Sequence, residues 1–251
     1  MLRKKNKNSN ESGFFEFIKT IFYAVIIAII FRSLLFEPYN IPSGSMLPNL
    51  LIGDYLFVSK FSYGYSRFSF PFGSVPLPAD RVFGSEPERG DVVVFKLPSN
   101  TSINYIKRVI GLPGDKLQMK SGKLFLNGQL VNQYNDGQFK HVYNNQYEQF
   151  LDKYKEKLDN GRSYSILNIN DFQPLDNTKE FIVPDSHYFM MGDNRDNSLD
   201  SRANGGWFVP FENLVGKGNF IFFSISGDTR FWQFWRWPFN VRYNRIFKKI
   251  K

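Results

Sequence analysis

At 251 residues the chain has room for one large domain or a domain with a sizeable insertion, and 42% hydrophobic content supports a packed core over disorder. The absence of cysteine excludes disulfides, thiol catalysis and thiolate metal sites, and leaves the compartment open. A formal charge of +9 suits anionic lipid, nucleic acid or an acidic partner alike, so charge alone excludes none of them.

The first predicted element follows a positive cluster, Arg3, Lys4, Lys5 and Lys7. From Thr20 to Phe31 the chain is uncharged, but twelve helical residues cover only about 18 Å of a roughly 30 Å hydrocarbon layer. Extension over 14–36 gives enough length if Glu16, Lys19 and Arg32 lie at the headgroups. A buried amphipathic helix would need a polar face, and a cleaved signal peptide would need a small-x-small site close behind the apolar run; the run has neither. The expectation is an uncleaved signal anchor that crosses the cytoplasmic membrane once. Its basic flank keeps residues 1–13 in the cytoplasm, and everything after Phe36 lies on the outer face.

Beyond the anchor, Glu37 to Pro48 is rich in proline and broken by Ser43-Gly44-Ser45, which predicts an irregular extended segment. Strand alternation follows at 54–60, 91–96 and 104–110, and again at 179–183, 187–191 and 219–223. Gly111-Leu-Pro-Gly-Asp115 and Asn127-Gly128 read as turns. Helical periodicity outside the anchor is confined to about Gln146–Leu158. Residues 117–181, rich in Asn, Gln, Tyr and Lys without a dense apolar pattern, read as an inserted subdomain. The predicted fold class is therefore mainly β: a transmembrane helix, a β-rich catalytic core over 37–116 and 182–251, and a smaller β insertion between them. The closing stretch from Arg230 mixes Trp and Phe with Arg and Lys. It either packs its rings into the core or rests on an anionic bilayer surface; stacking on nucleic acid is chemically possible but lies on the wrong side of the membrane.

His141 and His187 belong to no metal-ligand pattern, so no metal and no cofactor is expected. Serine and lysine chemistry remains. Ser45 lies on a glycine-containing turn just past the membrane exit, where turn chemistry alone is the bland reading. Lys107 shares a strand face with Tyr105, opposite Ile106 and Arg108. A solvated strand lysine is inert, but one among apolar neighbours loses its charge more readily. A drop of about two pKa units costs roughly 2.7 kcal/mol and yields an amine able to take a serine proton. Gly192-Asp-Asn-Arg-Asp-Asn-Ser-Leu-Asp-Ser-Arg202 is either a solvated charged turn or a buttress of paired Asp and Arg.

Taken in order behind the anchor, I-P-S-G-S-M-L-P, R-G-D-V-V-V-F-K, Y-I-K-R-V-I-G-L-P-G-D and G-D-N-R-D-N-S-L-D-S-R resemble the signature boxes of bacterial type I signal peptidases. The resemblance covers most of 31–116 and 184–218, apart from the loop at about 64–86, and does not extend to the insertion. It implies a serine endopeptidase that removes signal peptides from exported preproteins, with Ser45 as nucleophile and Lys107 as general base. It further implies Ser43 as a side-chain oxyanion donor, Ser198 as the residue that orients the lysine amine, and Arg108, Asp193, Asp200 and Arg202 as structural support. Shallow pockets for small substrate residues would be lined by Tyr39, Ile41, Pro42, Met46, Leu50, Val94, Tyr105 and Ile106, positions that serve equally well as core. Some relatives carry two anchors and a disulfide, whereas this sequence offers one anchor and no cysteine. Two rival readings are a self-cleaving repressor, which would need a DNA-binding domain, and a tethered binding protein with a degenerate site. Implied partners are signal-peptide-bearing preproteins and membrane lipid, with no nucleic acid; the oligomeric state is not legible.

Overall fold

The computed structural model describes residues 8–70, 81–143, 147–226, 229 and 232–251, with side chains from Gly13 onward except at 142–143 and 147. The basic flank Arg3–Lys7, part of the loop at 64–86, and Arg230 of the aromatic stretch lie outside the described residues.

Helix α1 runs Asn8–Leu34, and its portion Gly13–Leu34 is long and apolar enough to cross a membrane, with only Ser33 near its end buried against the rest of the chain. An apolar helix exposed along nearly its whole length has no protein surface to cover it, which is consistent with a lipid-facing segment. The span ends two residues before the predicted limit: the helix stops at Leu34 and strand β1 (Phe36–Asn40) begins almost at once. Just past the helix, the Glu37 carboxylate turns inward to Lys60 at 2.8 Å and also accepts from Arg32.

Strands β2 (Asp54–Ser59), β3 (Val92–Leu97), β4 (Asn100–Gly111), β5 (Lys116–Lys120), β6 (Lys123–Leu126) and β7 (Gln129–Leu130) follow. Then come β8 (Asn132–Tyr143), β9 (Tyr147–Lys157), β10 (Ser163–Asn168), β11 (Phe181–Ile182), β12 (His187–Met191), β13 (Val209–Pro210) and β14 (Leu214–Ser224), and a short helix α2 (Trp237–Asn240). The principal sheet is antiparallel in the order β1-β2-β14-β3-β4-β12-β13, and smaller sheets run β11-β5-β6-β7 and β10-β9-β8. Strand β3 shows why its sequence is apolar throughout: Val92 and Val94 enter one core cluster while Val93 and Phe95 enter another, so both faces are covered.

The segment at 117–181 does carry an apolar pattern, spaced two apart. Leu117 and Met119, Leu124 and Leu126, and Tyr164 and Ile166 share one core with Ile110, Phe189 and Met191 of the principal sheet. The helix expected over Gln146–Leu158 is instead β9, paired along its length with β8. Tyr154, Glu156 and Leu158 all point inward. A carboxylate at one of the three inward positions hides the period of two, which is why the residues read as helical.

The aromatic stretch near the end takes neither expected course whole. Arg245 is buried against Asp54 and the Asn49 carbonyl, and Ile250 packs on the core, whereas Phe234, Trp235, Phe239 and Phe247 are exposed. The cation goes in and the rings stay out, because Asp54 at the start of β2 is fully buried and requires a counter-charge.

Candidate active site

Ser45 sits in a short 3-10 turn, Gly44–Met46, whose carbonyls are tied to the charged loop. The Asn194 side-chain amide donates to Gly44 O and the Asn194 backbone N–H donates to Ser45 O, each at 3.0 Å. Met46 beside it is fully buried and anchors the turn in the core. Lys107 comes from the middle of β4, opposite Val93 of β3. Its Nζ lies 2.7 Å from Ser45 Oγ and donates to Ile106 O at 3.0 Å. Ser45 is 8% exposed and Lys107 4%.

Lys60, the other buried lysine, defines what is unusual about Lys107. Lys60 meets the Glu37 carboxylate, whereas Lys107 has no carboxylate within ion-pair distance among the described residues. Burial pushes the Lys107 amine down to about 8, with Asp200 and then Asp193 opposing the fall from a distance. Both carboxylates are already claimed. Asp193 accepts two bonds from Arg108 at 2.8 and 2.7 Å, and Asp200 accepts two from Arg202 at 2.9 Å each. Each Arg cancels much of the attraction its partner would exert on the lysine, so burial wins. A pKa near 8 leaves about one amine in ten neutral at pH 7, against a few in ten thousand for an ordinary lysine.

Of the other residues singled out in the sequence, Ser43 Oγ lies 3.4 Å from Ser45 Oγ on the exposed side. Ser198 is buried beside the pair, and its hydroxyl makes no hydrogen bond by distance and angle. It does not donate to or accept from Lys107 Nζ, although it lies near enough to Asp200 to help lower that carboxyl. The apolar set divides in two. Pro42, Tyr105 and Ile106 line an open groove of about 550 Å3 that contains Ser45 and Lys107. Ile41, Met46, Leu50 and Val94 are fully buried in the core beneath it, with Tyr39 packed against them. Leu47, Ile52, Ile103 and Leu199 complete the apolar lining.

Several contributors escaped the sequence reading. Gly192 permits a close approach: a Cβ there would come within 2.1 Å of Ser198 Oγ and 2.6 Å of the Ser45 carbonyl. Asn49 donates 2.7 Å bonds to Asp193 and to Ser165 O. Arg195 pairs with Glu156, which also accepts from Tyr164, and the Arg108 guanidinium stacks over the Tyr164 ring at 3.9 Å. Leu47 packs with Leu151 and Leu167, and Leu167 N donates to Asp193 O at 2.9 Å. All of these except Gly192, Asn49, Leu47 and Arg195 come from the inserted strands. No local feature marks them: Glu156 lies between Lys155 and Lys157 in a stretch whose periodicity reads as helical. Among the described residues no group of three or more His, Asp or Glu side chains is arranged to hold a metal ion.

A hydroxyl touching a buried lysine amine, on a β core behind an apolar helix, has the form of a serine-type peptidase without histidine. Comparison with known proteins agrees. The profile of the family described as signal peptidase, peptidase S26, matches residues 14–223. Signal peptidase I of Rickettsia typhi is 40% identical over 267 aligned residues, covering 99% of this chain and 98% of that protein. The Rickettsia canadensis enzyme of the same name is 40% identical over 248, covering 92% of each. A crystal structure of a signal peptidase I from Enterococcus faecalis aligns at 25% identity over 53% of this chain and 97% of that one, with a TM-score of 0.32. The chain belongs to the signal peptidase family, peptidase S26, and is a serine-type signal peptidase.

Proposed function

We propose that this chain is a membrane-anchored endopeptidase that removes signal peptides from exported preproteins, with Ser45 as nucleophile and Lys107 as general base. The observation that carries the reading is the 2.7 Å contact between a buried, carboxylate-free lysine amine and the Ser45 hydroxyl. In the charged form Lys107 donates to Ser45 Oγ. In the neutral form the bond reverses, and the hydroxyl donates its proton to the amine as Oγ attacks the scissile carbonyl. The oxyanion that develops accepts from the Ser45 amide and from the Ser43 hydroxyl, donors of a kind worth several kcal/mol at the transition state. The protonated lysine then gives its proton to the leaving amine, and water activated by the same amine releases the acyl group.

The groove supports a preference for small substrate residues, because Tyr105 and Ile106 form its walls and Ile41 and Met46 close the volume beneath. Ser198, Arg108, Asp193, Asp200 and Arg202 act through the lysine by fixing its surroundings. The exposed apolar helix supports anchorage in the cytoplasmic membrane, with the basic N-terminal flank inside and the β core outside. Anchorage confines enzyme and signal peptide to one surface and raises their effective concentration.

Purified protein incubated with a preprotein tests the chemistry. Wild type cleaves, and Ser45→Ala and Lys107→Met lose cleavage; equal processing by all three would end the assignment. Alkaline carbonate extraction tests the anchor, with the chain expected in the membrane pellet.

A further inference from the structure

Behind the catalytic strand, on the side of Arg108 away from Ser45, lies a cleft of about 490 Å3 that the peptidase reaction does not use. Its lining is cationic: Lys155, Arg162, Lys217, Lys249 and Lys251 surround it, with Arg108 at its back. Asp91 is the side-chain carboxylate in that lining, already shared by Arg162 at 2.6 Å, Lys217 at 2.7 Å and the Tyr63 hydroxyl, and Arg108 donates to Lys251 O at 2.8 Å. Among the described residues Lys155, Lys249 and Lys251 have no carboxylate within 4 Å. The crowding is felt nearby, where Lys248 is pushed down by burial, by Arg245 and by Lys251. Such a cleft attracts an anion with several acceptor oxygens.

A second hollow borders the cleft, shares Lys217, Gly218, Lys249 and Ile250 with it and is walled by Phe220 and Phe247. The outer wall is held in place. Phe247 N donates to Ile221 O and Ile250 N to Asn219 O, and Phe247 is 77% exposed although it adopts a left-handed backbone conformation (φ 60°). Rings lead from this wall to the end of the apolar helix, Phe247 to Phe220, Phe57, Phe36 and Phe31, each centroid 5.5–6.4 Å from the next. Ser62 also lines the hollow, two residues after Lys60, whose N–H donates to Leu35 O. The apolar end of the groove therefore faces the membrane exit, and its cationic end lies farther along.

We propose that this groove binds one anionic phospholipid, its phosphate among Lys155, Lys217 and Lys249 and its apolar portion along Phe220, Phe247 and Ile250. The inference uses the anchored topology and not the Ser45–Lys107 chemistry, so it is tested by binding. The full chain is purified in neutral detergent micelles doped with phosphatidylglycerol or phosphatidylcholine, and retained lipid is counted by native mass spectrometry. Wild type is expected to retain one phosphatidylglycerol with at least a tenfold preference over phosphatidylcholine. The Lys155→Glu/Lys249→Glu variant loses that preference while keeping preprotein cleavage in micelles. A control of the same charge change on the distant β5–β6 turn, Lys120→Glu/Lys123→Glu, keeps the preference. If the first variant cleaves poorly, Lys155→Gln/Lys249→Gln carries the same expectation. Equal loss in the control would assign the effect to net charge, and retention in the site variants would place the lipid elsewhere. Displacement by glycerol 3-phosphate at concentrations as low as the lipid's would make the ligand a free phosphate. Each of these three results overturns the proposal.

Discussion

Lys107→Met is expected to make the protein more stable while it destroys catalysis, and the size of the gain follows from the amine's surroundings. Folding moves this lysine from an ordinary value of 10.5 to about 8, so the folded state binds the proton more weakly than the unfolded chain. The sign is fixed by that order. Above about pH 10.5 both states hold a neutral amine and burial carries no ionisation cost. As pH falls through the interval to 8 the cost grows, and below 8 it is complete, at about 3 kcal/mol. Methionine fills a similar volume without a charge, and gives up the contacts to Ser45 and Ile106, each worth about 1 kcal/mol at most. A net gain of about 1–3 kcal/mol at pH 7 remains, or several degrees in Tm for a chain of this size. Thermal unfolding of the full chain in detergent, wild type against Lys107→Met at pH 7, 9 and 10.5, measures it. The gap should close as pH rises. A gap that stays constant, or a variant less stable at pH 7, would refute a lysine buried at the expense of its charge.

Cleavage itself should rise about tenfold per pH unit below 8 and level off above it, as the neutral fraction does; a profile flat from pH 6 to 9 would deny the lysine its role as base. Asp200→Asn removes the carboxylate that contributes most to holding the amine up, so the acid limb should move to lower pH, and Asp200→Asn/Arg202→Gln should bring it back toward the wild-type position. Gly192→Ala should leave Tm within a few degrees and cut kcat at least tenfold, because its new methyl group collides with Ser198 and the Ser45 carbonyl. Glu156→Gln strands Arg195 without a counter-charge in the interior and should cost about 3–5 kcal/mol in unfolding free energy, most of it recovered when Arg195→Gln is added.

The sequence disclosed the apolar N-terminal helix, most of the strands of the principal sheet and the residues that lie around Ser45, because each leaves a local mark: a charge-free run, alternation of two, or a compact box. Lys107 was legible for the further reason that it lies on a largely apolar strand, on the face of Tyr105. The inward course of β9 was not legible. Glu156 looks like a surface residue until Arg195, 39 positions later, is known to meet it, and only tertiary structure makes that introduction. Ser198 shows a different limit. A motif places it beside the lysine but does not orient its hydroxyl, which here faces Gly192 and the Ser45 carbonyl without bonding the amine. The fate of the aromatic stretch was undecidable for a related reason, since burial of Arg245 depends on Asp54 nearly two hundred residues away.

The strands between β4 and β12 bear on the Ser45 region at two places. Toward the outer end of the β8–β9 hairpin, His141 lines the groove that holds Ser45 and Lys107, next to the exposed Lys140–Glu148 ion pair. At its root, Leu151, Glu156, Tyr164 and Leu167 brace the turn of Ser45 and the loop over 192–202. A chimaera that exchanges the whole arm with a relative will work only if Leu47, Asn49 and Arg195 travel with it.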